Sequence, residues 1–185
     1  MRILIDMDGV MADTVEHWLS RYNEEYDDRL THNDITQWEI HKFVKPECGL
    51  SMYKIMEREG FFLDLKPMPH LSESMRELQD MGHDLVVVTA TPTNSRTGLY
   101  DKVKWLKTNL PWFDANNFVS TSLKGVVDGD LLIDDGPHNI AGFPGATCVY
   151  DQPWNQLVAA NHRVSGWRDI VALIDRLHNG GSSNE

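Results

Sequence analysis

The sequence predicts an α/β fold, a parallel sheet of Rossmann type covered by helices, with a small helical insertion after the first strand. Three observations carry this expectation. Short apolar runs bounded by polar residues recur along the chain, as expected for strands buried on both faces. Helical stripes separate them, and alternating strand and helix favour right-handed crossovers within an open sheet. Between about Thr14 and His70 the rhythm breaks into a segment with no clear buried strand but with Trp18, Tyr22, Tyr26, Trp38, Phe43, Tyr53, Phe61 and Phe62.

Strands are expected at Arg2 to Asp6, Asp84 to Thr89, Phe118 to Ser120, Asp130 to Asp134 and Ala146 to Tyr150. Leu71, Met75, Leu78 and Met81 form one helical stripe, which Gly82 closes as a C-terminal cap. Leu99, Val103 and Leu106 form a second stripe, and Val171, Ile174 and Leu177 a third. The core is therefore expected in residues 1–13 and 71–179, the helical insertion in 14–70, and a flexible tail in 180–185. The acidic cluster Glu24, Glu25, Asp27 and Asp28 reads as a solvated face.

Composition narrows the function. With 185 residues, 41% of them hydrophobic, and six Trp, the chain can bury a sizeable core without staples. A net charge of −11 and a pI near 5.1 supply no footprint for a nucleic-acid polymer or an anionic membrane, although a small anion in a locally positive pocket is allowed. Cys48 and Cys148 lie outside any CxxC spacing, so neither a zinc site nor a disulfide framework is expected, and a reducing cytoplasm is the default. The opening Met1-Arg2-Ile3-Leu4-Ile5-Asp6 breaks on a charge, unlike a signal peptide or a membrane span.

In open α/β sheets ligands bind beyond the carboxyl ends of the strands. There the first run ends in Asp6-Met7-Asp8-Gly9-Val10 and the second in Thr89-Ala90-Thr91, while Lys124 precedes a fourth run ending in Asp134-Asp135-Gly136. Four carboxylates converging on one sheet edge would raise one another's pKa values unless a cation sat among them. Mg2+ suits hard oxygen ligands and needs neither His nor Cys. Thr89 and Lys124 would complement a phosphate on the same ion, and a strand-end carboxylate can serve as a nucleophile.

These residues, in this order, resemble the four motifs of the haloacid dehalogenase (HAD) superfamily of phosphotransferases. A closer resemblance is to the 5'(3')-deoxyribonucleotidases, which dephosphorylate deoxynucleoside monophosphates and carry a small helical cap. Asp6-Met7-Asp8-Gly9-Val10-Met11-Ala12-Asp13 resembles the family's DMDGVLAD, Gly60 to Pro69 resembles GFFLDLxPxP, and Gly129 to Asp135 resembles GDLLIDD.

The resemblance implies a HAD-like core and a Mg2+-dependent phosphomonoesterase acting through an aspartyl-phosphate. Asp6 would attack phosphorus and bind metal. Asp8 would act as acid and then base, and ligate metal through its carbonyl. Asp135 is the third protein ligand implied, with Asp134 behind it orienting metal-bound water or Lys124. Thr89, Ala90, Lys124 and Lys102 would hold the phosphate, and Phe61, Phe62 and Trp38 are the candidates for stacking on the base. Two positions depart from the mammalian members, Thr14 where they have Phe and Ala90 where they have Ser. Family members can form homodimers. Two rival readings stay open: a HAD phosphatase for another small ester such as a sugar phosphate, and a catalytically silent nucleotide-binding protein.

Overall fold

The computed structural model describes residues 1–180. Six strands form one parallel sheet in the order β3-β2-β1-β4-β5-β6: β1 Arg2–Ile5, β2 Asp84–Thr89, β3 Phe118–Ser120, β4 Leu131–Asp134, β5 Ala146–Tyr150 and β6 His162–Val164. Strand order reverses at β1, whose Leu4 pairs with Val86 of β2 on one side and Leu132 of β4 on the other. Chains leaving β1 and its neighbours diverge there, which opens a crevice at their carboxyl ends. All five expected strands form, with β1 and β4 each one residue shorter. The sixth, at the edge, was not expected, because His162-Arg163-Val164 makes no apolar run.

Helices α1 Thr14–Tyr26, α2 Met52–Met56, α3 Leu71–Asp80, α4 Gly98–Asn109, α5 Pro137–Gly142 and α6 Trp167–Gly180 complete the fold. Leu71, Met75 and Leu78 of α3 are buried as their spacing implies, and Gly82 closes the helix at φ +85°. The other two stripes each turn one end to solvent, while Leu106 and Ile174 are buried and Val103 and Val171 half-buried. On α4 Leu99 is exposed, and the buried face is Asp101, Lys102, Trp105 and Leu106, because each buried charge there finds a partner. On α6 Leu177 is exposed, and Trp167, Ile170, Leu173 and Ile174 pack inward. Fully burying such an aliphatic side chain contributes about 1.5–3 kcal/mol. Gly180 ends α6 and is not part of a tail; the remainder of the expected tail, 181–185, lies outside the described residues.

Between β1 and α3 the described chain forms α1, α2 and short 3-10 turns at His32–Asp34, Ile40–Lys42 and Gly49–Ser51. It departs and returns side by side: the Asp13 amide donates to the Lys66 carbonyl at 2.9 Å and the Met68 amide to the Met11 carbonyl at 2.8 Å. Trp18, Tyr22, Phe61 and Phe62 join the main core, while Trp38 is 45% exposed. The acidic cluster lies at the surface but is not merely solvated, since Glu25 pairs with Arg58 at 2.5 Å and Asp28 accepts from the Tyr22 hydroxyl at 2.5 Å. Cys48 and Cys148 are buried free thiols. Among the described residues, no helix is long and apolar enough to cross a membrane.

Candidate active site

Asp6 follows β1 directly, and the chain then folds back on itself, with the Met11 and Ala12 amides both donating to the Met7 carbonyl at 2.9 Å. Gly9 makes this turn at φ +75°, and a Cβ there would meet Asp135 Oδ2 at 2.5 Å. Only glycine lets the first loop approach the fourth so closely. Asp8 is thereby carried to the same edge as Asp6.

Asp134 ends β4 and Asp135 follows it. Asp6, Asp134 and Asp135 are all buried, and each can offer one carboxylate oxygen to a group lying within 4.8 Å. Lys124, in the turn Lys124–Val126, donates to Asp6 and, at 2.5 Å, to Asp134. Asp134 Oδ1 also accepts from the Gly136 amide at 2.7 Å and Asn139 Nδ2 at 3.1 Å. Both of its oxygens are thus engaged. Among the described residues, Asp6 Oδ2 and Asp135 Oδ1 receive no protein hydrogen bond.

Burial is the largest cause pushing the Asp6 carboxyl up to about 7; Asp134 and Asp8 push the same way, and Lys124 opposes them. Asp135 is driven well upward by burial and then by Asp6 and Asp134. Burial alone would lower the Lys124 ammonium, yet its two carboxylate partners outweigh that and raise it. Fully ionised, the four carboxylates facing two ammonium groups would leave the site negative, which is why burial and mutual repulsion push Asp6 and Asp135 upward unless a cation sits among them. This all-oxygen donor set with surplus negative charge fits a hard divalent cation, which Asp6 and Asp135 could hold with Asp134 fixed behind them.

The site opens into a cavity of about 340 Å³, within the range of small-ligand sites. Asp6, Asp8, Ala90, Lys124 and Asp135 reach it, and Trp18, Trp38, Tyr53 and Trp154 form its aromatic wall. Of the three aromatics proposed for the base, Trp38 lines the cavity, edge-on to His138 at 5.0 Å. Phe61 and Phe62 do not. Both are buried away from the cavity in the turn preceding α3, which is tied to α4 by the Gly60 amide donating to Asp101 at 3.0 Å. Their rings pack edge to face, with Phe62 lying beneath the Lys102 ammonium at 4.6 Å.

Thr89 and Lys102 are likewise set back, both fully buried. Lys102 donates to Asp8 Oδ2, to Thr89 Oγ1 at 2.9 Å and to the Ala90 carbonyl at 2.6 Å, so its three protons already have acceptors. These two residues support Asp8 and do not line the cavity. Trp18 and Tyr53, which the sequence offers only as aromatics of the insertion, also line the cavity, as do Trp154 and Thr14, the position that departs from the mammalian members. Thr14 and Trp18 stand four positions apart on α1, the spacing that puts two side chains on one helix face. Trp154 lies just past β5, where the strand-end rule already pointed.

Over most of its length the chain is similar to known proteins. The family model described as "5' nucleotidase, deoxy (Pyrimidine), cytosolic type C protein" matches residues 1–179. A 5'(3')-deoxyribonucleotidase of Clostridium acetobutylicum is 33% identical over 173 residues, 94% of each chain. One from Bacillus subtilis is 31% identical over 168 residues, 91% of this chain and 95% of its own. In structure, a HAD family hydrolase from Deinococcus radiodurans, solved with bound phosphate and sodium, superposes with a TM-score of 0.60 at 15% identity, over 94% of this chain and 95% of that one. A hydrolase from Pseudomonas syringae gives 0.57 at 13% identity over 95% and 98%. The fold is HAD-like, and the chain belongs to the 5' nucleotidase, deoxy (Pyrimidine), cytosolic type C family as a phosphoric monoester hydrolase of the 5'-nucleotidase type.

Proposed function

We propose that this enzyme removes phosphate from deoxynucleoside monophosphates, with Mg2+ as cofactor and Asp6 as nucleophile. The observation that carries the reading is that Asp6 and Asp8, two positions apart, line the same cavity as Trp18, Trp38, Tyr53 and Trp154. A phosphate beside the carboxylates leaves room for a nucleoside against Trp18, Trp38, Tyr53 and Trp154. A bound Mg2+, held by Asp6, Asp135 and the Asp8 carbonyl, supplies charge neutralisation for the phosphoryl oxygens.

The chain's own groups perform the rest. Lys124 holds Asp6 and offers its positive charge to the phosphate, and the Ala90 amide can donate to a phosphoryl oxygen. An Asp6 carboxylate oxygen attacks phosphorus while Asp8 protonates the departing sugar oxygen, leaving a phosphorylated Asp6. Asp8 then takes a proton from water, whose oxygen attacks phosphorus and releases Asp6 and inorganic phosphate. Proton transfer of this kind contributes about 10²–10⁴-fold, and positioning with charge stabilisation supplies much of the remainder. The helical segment 14–70 serves as the cap that shields this reaction from water. Two buried free thiols suit a reducing cytoplasm.

The test is phosphate release, with and without Mg2+, from deoxy- and ribonucleoside monophosphates, sugar phosphates and an aryl phosphate, with Asp6→Asn beside wild type. Turnover of deoxynucleotides that needs Mg2+ and vanishes in the variant is expected. Turnover of sugar phosphates alone would reassign the substrate, and unaltered activity in Asp6→Asn would overturn the mechanism.

A further inference from the structure

Asp8 is held from two elements at once. Lys102, from α4, donates to Oδ2, with Thr89 Oγ1 3.4 Å from the same oxygen. Oδ1 receives the hydroxyl of Thr14 at 2.9 Å. Thr14 is only 2% exposed, and it is the first residue of α1, the helix that opens the insertion. Its position is fixed by the Ala12 carbonyl, which accepts its amide at 2.9 Å, and by Asp13, which caps the helix through the Glu16 amide. One turn later the same helix presents Trp18 to the cavity.

The two partners differ in chemistry. An ammonium only donates, whereas a hydroxyl donates or accepts. A group that is an acid in one half of a reaction and a base in the other needs a partner compatible with both forms. Thr14 has the means to be one, because its hydroxyl has a second acceptor in the Ala12 carbonyl, 3.4 Å away.

We propose that Thr14 is the positioning residue for Asp8, aligning that carboxyl with the leaving oxygen and coupling its alignment to the α1 wall of the pocket. This inference rests on the acid and base role assigned to Asp8 above. Thr14 does not touch the reacting atoms; it acts through Asp8.

The experiment compares Thr14→Val, Thr14→Ser and Asp8→Asn with wild type, on a deoxynucleoside monophosphate and on p-nitrophenyl phosphate, at saturating Mg2+. The p-nitrophenolate departs without needing a proton, whereas the alkoxide of a sugar does not, so misalignment of the acid penalises the nucleotide selectively. Thr14→Val is expected to lower kcat/KM on the nucleotide, which reports the step that expels the sugar oxygen and not the later hydrolysis common to both substrates, by about 10–100-fold. The loss on p-nitrophenyl phosphate should be several-fold smaller, and Thr14→Ser should restore the nucleotide rate. The ratio of the two rates is independent of the folded fraction, so a destabilised variant still reports; were Thr14→Val not to fold, Thr14→Ala supplies the same ratio.

Equal losses on both substrates, or no loss, would overturn the role of Thr14, as would failure of the serine variant to rescue. Asp8→Asn separates the two levels. Slow nucleotide turnover in Asp8→Asn beside a wild-type Thr14→Val rejects the Thr14 inference alone, whereas full turnover in Asp8→Asn rejects the assigned role of Asp8 itself.

Discussion

The indole N–H of Trp154 donates to Asp135 Oδ2 at 3.1 Å, which leaves Oδ1 of that carboxylate to face the proposed cation. Its neighbour Asn155 fixes the Asp135 carbonyl at 2.9 Å. Gln152, in the same turn, reaches the Gly9 carbonyl with its amide at 2.7 Å and meets His32 of the insertion at 2.8 Å. Residues just past β5 thus fasten both carboxylate-bearing loops and the insertion together. Partners of metal ligands are commonly worth 10–100-fold in affinity, so Trp154→Phe should raise the Mg2+ concentration for half-maximal activity by about that factor. Titrating Mg2+ into wild type and variant checks this, with kcat recovering at saturation; an unmoved midpoint would deny the indole its role.

Gly9→Ala tests the closeness of the two loops. The added Cβ must occupy both a left-handed backbone conformation and the space of Asp135 Oδ2, 2.5 Å away. A loss of about 1–3 kcal/mol is expected from strain of this kind. Thermal melting should show the loss, and the Mg2+ concentration for half-maximal activity should rise with it because Asp135 is displaced.

The convergence of Asp6, Asp8, Asp134 and Asp135 on one sheet edge was legible in the sequence because strand ends in an open sheet are fixed by topology and the polar residue after an apolar run marks the edge, whereas Lys124 sits in the turn between β3 and β4, where the motif resemblance and not the strand-end rule points to it. The aromatic wall was not. An aromatic residue reads as buried whether it backs a core or faces a cavity, and nothing in the local pattern around Phe61, Phe62 and Trp38 says which. On α4 the apolar stripe includes exposed Leu99 and omits two buried residues for a related reason. Asp101 and Lys102 count as solvent-facing in any hydropathy pattern, yet Asp101 accepts from Thr97 and Gly60 while Lys102 reaches Asp8, and both are buried. The edge strand His162–Val164 is held by register with Cys148, Val149 and Tyr150, not by its own composition.

Phe62 and Trp38 should therefore separate in function. Phe62 is fully buried, so Phe62→Ala is expected to cost about 3–5 kcal/mol of stability. Trp38 lines the cavity and is half exposed, so Trp38→Ala should leave the melting temperature nearly unchanged and raise KM for a nucleotide several-fold. Melting curves beside steady-state kinetics decide the matter. A Trp38 variant with unchanged KM would remove that ring from the substrate wall.

Stability below neutral pH should depend on His83, far from the carboxylates. Its ring is buried and, among the described residues, Nε2 has no hydrogen-bond partner, while Nδ1 lies 3.4 Å from the Met1 amine and His178 sits edge-on at 5.5 Å. Burial first, then the Met1 ammonium and His178, hold its pKa below the usual histidine value. The folded protein therefore binds this proton less readily than the unfolded chain does. Above the unfolded value near 6.5 the neutral ring costs nothing, and stability is lost as pH falls from there through the lowered folded value. His17 is also lowered, by burial and then Arg21 against the opposing Asp64, and adds a slope of the same sign. His83→Leu removes both the protonation penalty and the unpartnered nitrogen. Its melting temperature should fall less steeply than that of wild type between about pH 7 and 5, with a residual slope from His17. Parallel curves for the two proteins would show that His83 stays protonated, or solvated, in the fold.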